Sequence, residues 1–395
     1  MLPNDDTNEP QSWSERVQDR RQRTTPGWGF IAIVLIAGVI GGFGIAVLLF
    51  VPSGGLLSLN RPVYDEKLVT SLYDRISPSV VQISIQRTSS ASSNSFGFVP
   101  TDSGSGFLID NEGRILTNNH VVASGGEIRI TLSDGRVLEA TRLGNSPADD
   151  LAVLQVDPEE VRGISPLTLA DSDAVKAGQL VVSIGSPLQL QNFLSVGVVS
   201  GIGEVRELMS THRPIPNMVW TNARLLPGNS GGPLVNADGN VIGIATAVQV
   251  GAGGELGLGF AVPSNIVLSL LSDLIVSQEI QRPWLGISGV TLERDLSDDL
   301  NLATNTGVYV TQVWPDSPAE EIGLRDDPFI PGRRLPSGRG DIITSIDGRA
   351  IASITEMVEY FNTLQPGSEV VLTIVRGGAD PFQIKVTLGP WSVGS

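Results

Sequence analysis

Gly228-Asn229-Ser230-Gly231-Gly232 runs directly into Pro233-Leu234-Val235, a polar turn at Asp238-Gly239-Asn240 and the apolar stretch Val241-Ile242-Gly243-Ile244. Glycine tolerates backbone angles that other residues avoid, so this pattern predicts a tight turn between two β elements. Such a turn presents one hydroxyl, that of Ser230, at a cleft. A serine hydroxyl becomes a nucleophile only beside a base. With 2 histidines and no cysteine in the chain, few groups compete for that task. One candidate, His120, stands in Leu116-Thr117-Asn118-Asn119-His120-Val121-Val122, after a hairpin pattern over Gly104–Asp110 and Gly113–Leu116. The other, His212, lies in the polar, proline-flanked Ser210-Thr211-His212-Arg213-Pro214 and is read as an exposed loop residue.

A base of this kind works best when a carboxylate orients its far nitrogen. Asp149 and Asp150 compete for that role at the head of Leu151-Ala152-Val153-Leu154. Residues two apart on a strand share a face. On that reading Asp150 lies with Ala152, Leu154 and Val156, and Asp149 lies with Leu151, Val153 and Gln155. The drier face selects Asp150. The order His120, Asp150, Ser230 is that of chymotrypsin-like serine proteases. The expected roles are Ser230 as nucleophile, His120 as general base and Asp150 as its orienter. The amide groups of Gly228 and Ser230 are expected to form an oxyanion hole.

Composition narrows the alternatives. A length of 395 residues suggests two or three domains. The net charge of −16 argues against a nucleic-acid partner, whose phosphates it would repel. The absence of cysteine excludes disulfides and thiolate ligands, and two widely separated histidines do not suggest a metal site. No metal and no cofactor is therefore expected. Neither a P-loop nor a dinucleotide fingerprint is present. The group Asp295, Asp298 and Asp299 is read not as a cation site but structurally, with Ser297 capping a helix whose first turn carries acids.

Five segments follow from the patterning: a disordered tail over 1–27, a transmembrane helix over 28–51, a linker over 52–65, a β-rich domain over 66–280 and a small α+β domain over 281–391. Trp28–Val51 carries no charge and as a helix would measure about 36 Å, enough to cross a hydrocarbon core of roughly 30 Å. A cleaved signal peptide is the rival, but its apolar region is usually only about 7–15 residues, and no small-x-small cleavage site follows here. Arg16, Arg20, Arg21 and Arg23 precede the span, which places the N-terminus in the cytoplasm and the bulk of the chain outside. Beyond it, Leu68, Val69, Leu72 and Ile76 have helical spacing, and Ser89–Ser105 reads as a mobile loop. Short apolar runs at Val80–Ile85, Gly106–Ile109, Ile128–Leu132, Leu151–Val156, Leu180–Ile184 and Val241–Ala247 suit an all-β barrel or sandwich. Helices are expected over Ile266–Ile280, near Ser317–Ile322 and over Ile354–Leu364.

Ser77–Val81, Gly104–Phe107, Leu116–Val122, Asp150–Leu154, Ile184–Pro187, Pro227–Leu234 and Gly257–Pro263 together resemble the HtrA/Deg family of serine proteases. Trp284-Leu285-Gly286-Ile287, Ser317-Pro318-Ala319, Ile322-Gly323-Leu324 and Gly340–Gly348 resemble a PDZ domain. The resemblance implies a mostly β chain: a chymotrypsin-like double β-barrel followed by one PDZ domain. It implies a homotrimer that needs no cofactor and cleaves unfolded or misfolded proteins outside the cytoplasm, in a bacterial periplasm or on the cell-wall side. Trp284, Leu285, Gly286 and Ile287 would form the loop that takes a peptide's C-terminal carboxylate, with the peptide adding as a strand. Residues 28–51 would hold the protein in membrane lipid. Glu204–Asn217 matches the family's sensing loop, with Arg206 or Arg213 as carriers of a signal from the PDZ domain. Two other functions stay open: a stress sensor that cuts one membrane partner, and a binding protein or holdase whose proteolysis is vestigial.

Two departures stand out. Asn222-Ala223-Arg224-Leu225-Leu226 replaces the family's usual Asp-Ala-Ala-Ile-Asn beside the expected specificity pocket, which leaves the preference for small or medium apolar side chains open. The stretch Arg325–Arg339 is longer than in simpler members and carries Arg333, Arg334 and Arg339 toward an expected acidic neighbour.

Overall fold

A computed structural model of the chain describes residues 65–86, 102–186, 192–203, 213–250, 256–276, 279–328 and 336–391. The expected tail, transmembrane helix and most of the tether lie outside these residues, as do His212, Arg206, Arg333 and Arg334. Among the described residues no helix is long and apolar enough to cross a membrane.

The chain is mostly β. Helix α1 (Glu66–Ile76) leads into β1 (Val80–Gln86), β2 (Asp102–Leu108), β3 (Arg114–Thr117), a single helical turn α2 (Asn119–Val122), β4 (Glu127–Thr131), β5 (Val137–Ser146) and β6 (Leu151–Gln155). These strands close a six-stranded barrel in the order β1-β2-β3-β6-β5-β4. Then β7 (Leu180–Gly185), β8 (Phe193–Gly203), β9 (Met218–Thr221), β10 (Pro233–Val235), β11 (Val241–Val250) and β12 (Leu256–Pro263) close a second, in the order β10-β11-β12-β9-β8-β7. Closure leaves no unpaired strand edge in either barrel. Helix α3 (Ser264–Val276) follows.

Three apolar clusters explain this part of the pattern. Val81, Ile83, Ile85, Ile115, Ile130, Ala152 and Leu154 fill the first barrel. Val181, Val199, Val219, Leu234, Ile242 and Ala261 fill the second. Phe107, Leu116, Leu151, Val153, Val182, Ile184, Val235 and Ile244 lie in a third cluster, with Leu72 and Ile76 of α1 and Val267, Leu270 and Leu274 of α3. Strand β6 thus has both faces buried, one in the barrel and one in the seam, so it reads as an unbroken apolar run and not an alternating one.

Two expectations are corrected here. The mobile loop over Ser89–Ser105 does not extend to its end, because Asp102–Ser105 belong to β2. Glycine at position 104 signals close packing there: a Cβ would stand 2.6 Å from Val121 Cγ2. Ser297 does not cap a helix. Helix α4 (Arg294–Leu300) begins after Glu293, and the Ser297 hydroxyl donates to Thr304 O at 2.7 Å from within it.

The C-terminal part has its own core, in which Leu285, Val310, Ile343, Ile354, Phe361 and Leu372 pack together. β13 (Pro283–Trp284) pairs with β20 (Gly389–Pro390). β14 (Ile287–Thr291), β15 (Val308–Val313), β16 (Ile342–Ile346), β18 (Glu369–Val375) and β19 (Phe382–Thr387) form one sheet in that order, with β17 (Arg349–Ala350) beside β16. Short helix α5 (Pro318–Glu321) is capped by Ser317, whose hydroxyl accepts from Glu320 N at 3.2 Å. Helix α6 (Ile354–Asn362) is capped by Ser353.

The long Arg325–Arg339 excursion is tied at its base by Asp327. This carboxylate accepts from Tyr309 Oη at 2.6 Å, Ser337 N at 2.7 Å, Ser337 Oγ at 2.8 Å and Arg339 N at 3.0 Å. Burial alone would raise its pKa; the Tyr309, Ser337 and Arg339 hydrogen bonds more than offset that and hold it at about 2. The lowered value fixes the sign: this stabilisation is complete above the ordinary carboxylate range near ~3.9 and fades as pH falls toward about 2. Asp327→Asn is expected to destabilise the C-terminal domain by about 1–3 kcal/mol at neutral pH, read by urea unfolding, with the difference from wild type shrinking as the pH approaches 2.

Candidate active site

The seam between the barrels assembles the candidate residues. Antiparallel β3 and β6 pair Leu116 with Val153 and Thr117 with Ala152. That register sets the turn leaving β3, which carries His120, beside the turn entering β6, which carries Asp150. His120 Nδ1 stands 2.8 Å from Asp150 Oδ2 and 3.0 Å from Oδ1, and the His120 backbone N donates to Oδ1 at 3.0 Å. The carboxylate side chain is 1% exposed and the imidazole 35%, so the ring meets solvent while its partner does not.

Strand face does not distinguish the two aspartates, contrary to the expectation from periodicity. Asp150 is not on a strand. It ends the 3-10 turn Pro147–Asp149 in the left-handed region, with φ 54 and ψ 42. Both aspartates are 1% exposed, so neither face is wetter. They differ in direction: Asp150 meets His120, whereas Asp149 meets Arg282 at 2.8 Å and Arg213 at 3.6 Å. Asn118 Nδ2 donates to Asp150 O at 2.8 Å and so fixes the carbonyl of the left-handed residue.

A residue absent from the sequence reading joins the two barrels. Register shifts between Ala245 and Ala247 leave Thr246 as an extra residue in β11, and bulges of this kind re-aim side chains at sites. Thr246 Oγ1 donates to Asp150 Oδ2 at 2.6 Å, and its carbonyl accepts from Ser230 Oγ at 3.3 Å. One residue therefore touches both the acid and the serine. Nothing in the bare pattern of Val241–Ala247 marks it, since a bulge appears only once both strands are paired.

The serine turn is held from behind by Ser105. Ser105 N donates to Ser230 O at 2.8 Å, and its hydroxyl donates to Gly228 O at 2.7 Å while accepting from Ser186 N at 2.9 Å. Asn229 N donates to Leu226 O, Gly231 N to Ala245 O and Gly232 N to Asn229 O. The amides of Gly228 and Ser230 take part in none of these bonds. Gly228 has φ 101 and Gly231 has φ 85, both in the region that favours glycine. In the substituted segment, Leu225 is 3% exposed, and a Cβ on Gly259 would stand 2.7 Å from its Cδ1; Arg224 is exposed. Asn222 Oδ1 accepts from Val198 N at 2.8 Å.

In the C-terminal domain, Trp284-Leu285-Gly286-Ile287 spans the gap between β13 and β14. Gly286 has φ 89, and its carbonyl accepts from Trp314 N at 2.9 Å. Ala319 N donates to Leu285 O at 2.9 Å. β14 is the outer strand of its sheet, and Ile354 N at the start of α6 donates to Thr291 Oγ1 at 3.2 Å. An outer strand beside a helix is the arrangement that accepts an added peptide strand.

The fold and this geometry define a trypsin-like peptidase domain joined to a PDZ domain. The trypsin-like peptidase domain family matches residues 104–244, and the PDZ domain family matches residues 283–388. The chain is 35% identical over 286 residues to the periplasmic serine endoprotease DegP of Escherichia coli (strain K12), covering 72% of this chain and 56% of that protein. It therefore spans only about half the length of such relatives. A probable periplasmic serine endoprotease, DegP-like, of Hahella chejuensis (strain KCTC 2396) is 31% identical over 373 residues, covering 87% of this chain and 74% of that one. Among solved structures, the HtrA-type protease AlgW with tripeptide superposes with a TM-score of 0.63 at 29% identity, covering 82% of this chain and 98% of that chain. This chain belongs to the HtrA/DegP family of trypsin-like proteases.

The turn geometry makes a direct prediction. A Cβ at Gly231 would overlap Ser105 O and Thr117 Oγ1. Gly231→Ala is expected to cost at least about 2 kcal/mol, from the left-handed backbone and the overlap together, measured as a lowered midpoint in chemical denaturation.

Proposed function

We propose that this protein is a serine endopeptidase acting outside the cytoplasm on unfolded or misfolded proteins. The observation that carries the reading is the buried Asp150 carboxylate bonded to both the ring and the backbone of His120. It faces a serine turn joined to it through Thr246. Ser230 turns its hydroxyl from Thr246 O toward the imidazole and attacks the scissile carbonyl. His120 takes the serine proton and later gives it to the leaving amine. Asp150 keeps the Nδ1 proton in place and stabilises the imidazolium without taking the proton itself. The Gly228 and Ser230 amides receive the developing oxyanion.

The loop Trp284–Ile287 and outer strand β14 bind the C-terminus of a peptide, and that binding regulates cleavage. AlgW, solved with a tripeptide and with a decapeptide, supports a peptide ligand for the present chain. The uncharged stretch 28–51 serves as a membrane span, with the N-terminus cytoplasmic and the barrels on the far side. Trimeric assembly belongs to the same reading, on the family likeness.

Ser230→Ala is expected to abolish cleavage of denatured casein while thermal unfolding stays unchanged, and a fluorophosphonate probe should label wild type at Ser230 alone. Asp150→Asn is expected to lower kcat by about 10⁴-fold. Undiminished hydrolysis by purified Ser230→Ala would move the nucleophile elsewhere.

A further inference from the structure

Asp149 precedes the proposed catalytic carboxylate and has no part in the chemistry above, yet it is as deeply buried as Asp150. Arg282 Nε donates to its Oδ2 at 2.8 Å, Ser146 Oγ donates to the same oxygen at 2.6 Å, and Arg213 Nη1 stands 3.6 Å from Oδ1. Burial alone would raise the Asp149 pKa, but the two guanidinium groups more than offset this and hold it below the usual carboxylate range. Burial pushes Arg213 down to about 10, which leaves it a cation at neutral pH. A buried carboxylate with two cations and a hydroxyl is a rigid anchor, and removing one partner strands charge in a dry site.

Arg282 does not come from either barrel. It lies in the connection to the C-terminal domain, just before β13, and that connection holds both the turn, through Asp149, and the end of β5 that leads into it. Ile280 N donates to Asn145 O at 2.8 Å, and Asn145 Nδ2 donates at 2.8 Å to Oδ1 of Asn119, the neighbour of His120. Arg282 O accepts from Trp391 N at 2.7 Å, which fixes the connection to the end of the C-terminal domain. Arg213 also donates through Nη2 to Asn362 Oδ1 on α6. The left-handed conformation of Asp150 is disfavoured for a residue with a side chain. Such a conformation persists only where surrounding contacts impose it.

We infer that Arg282 is a positioning residue for the catalytic carboxylate. Acting through Asp149, it holds the Pro147–Asp150 turn in the conformation that aims Asp150 at His120, so the connection between the domains completes the active site. This inference rests on the proposed role of Asp150.

The test uses the full chain and compares Arg282→Gln, Asp149→Asn, the double variant, Arg282→Lys and Asp150→Asn. Each is read by kcat and KM on a fluorogenic peptide, and by the downfield proton resonance of the His120–Asp150 hydrogen bond. With 2 histidines in the chain, that resonance is readily assigned. Arg282→Gln is expected to lower kcat by about tenfold or more, the scale of a small misplacement of catalytic groups, with KM little changed and the resonance shifted. The double variant should be no slower than the slower single variant, because both changes act through one contact. Arg282→Lys, which keeps the charge but not the planar fork, should fall between Arg282→Gln and wild type. Wild-type kcat and an unshifted resonance in folded Arg282→Gln would overturn the inference, as would effects of the two single variants that multiply. Should Arg282→Gln fail to fold, wild-type kcat and resonance in Arg282→Lys would overturn it equally. Full activity in Asp150→Asn would remove the catalytic reading itself, whereas an inactive Asp150→Asn beside an unaffected Arg282→Gln removes only the positioning role.

Discussion

Two adjacent carboxylates buried at 1% exposure each are the constraint around which this seam is built. An ion moved from water into a protein interior loses several kcal/mol of solvation even after relaxation. Two neighbouring anions would also repel each other. The left-handed turn at Asp150 separates them by direction, sending one side chain to His120 and Thr246 and the other to Arg282 and Arg213. Each anion then has its own donors. The same backbone angle that resolves the electrostatic conflict aims the proposed catalytic acid.

Neither barrel holds the site alone. The first supplies His120 and Asp150 through the β3–β6 register, and the second supplies Ser230 on its glycine turn. Thr246 and Ser105 cross the seam, one through the acid and the hydroxyl of the serine, the other through the carbonyls of Gly228 and Ser230. Phe107, Leu116, Val182 and Ile244 pack beneath these polar contacts. Hydrogen bonds gain strength where water is excluded and lose it where geometry drifts. The apolar seam therefore keeps the polar bridge both dry and in register.

Much of this was legible in the chain before folding. Ser230 was marked by glycines whose positive φ values proved necessary, and His120 by the scarcity of imidazoles. Each of the six apolar runs marks a strand, with Ile109, Leu132 and Val156 one residue past the strand ends. Strands β5, β8, β9 and β12 had no such signal: β5 alternates only weakly above the seam, and β8 is interrupted by glycines at 197, 201 and 203. Glycines at 201 and 203 stand there because Trp220 lies against them, with ring atoms 3.1 and 3.0 Å from where a Cβ would be. Strand periodicity points to Asp150, but in the structure the direction set by the turn, not a strand face, separates it from Asp149. Thr246, Ser105 and Arg282 act through pairings distant in sequence, and local periodicity carries no information about which distant strand a residue will meet.

The ion cluster at Asp149 changes what a domain boundary means here. By core packing, the chain divides near residue 280: the apolar clusters on either side share no buried residue. By electrostatics it does not divide there, because a buried carboxylate on one side takes a cation from the connection itself. Domain connections are ordinarily exposed and crossed by few contacts. This one spends its arginine inside the neighbouring barrel and ties its backbone to the end of the C-terminal domain. A displacement of that connection by a few ångströms would leave Asp149 with one cation in place of two, and the charge imbalance would fall one peptide bond from Asp150. Asp149 and Asp150 share one planar peptide unit, so a tilt of that plane moves both residues unless the flanking φ and ψ absorb it.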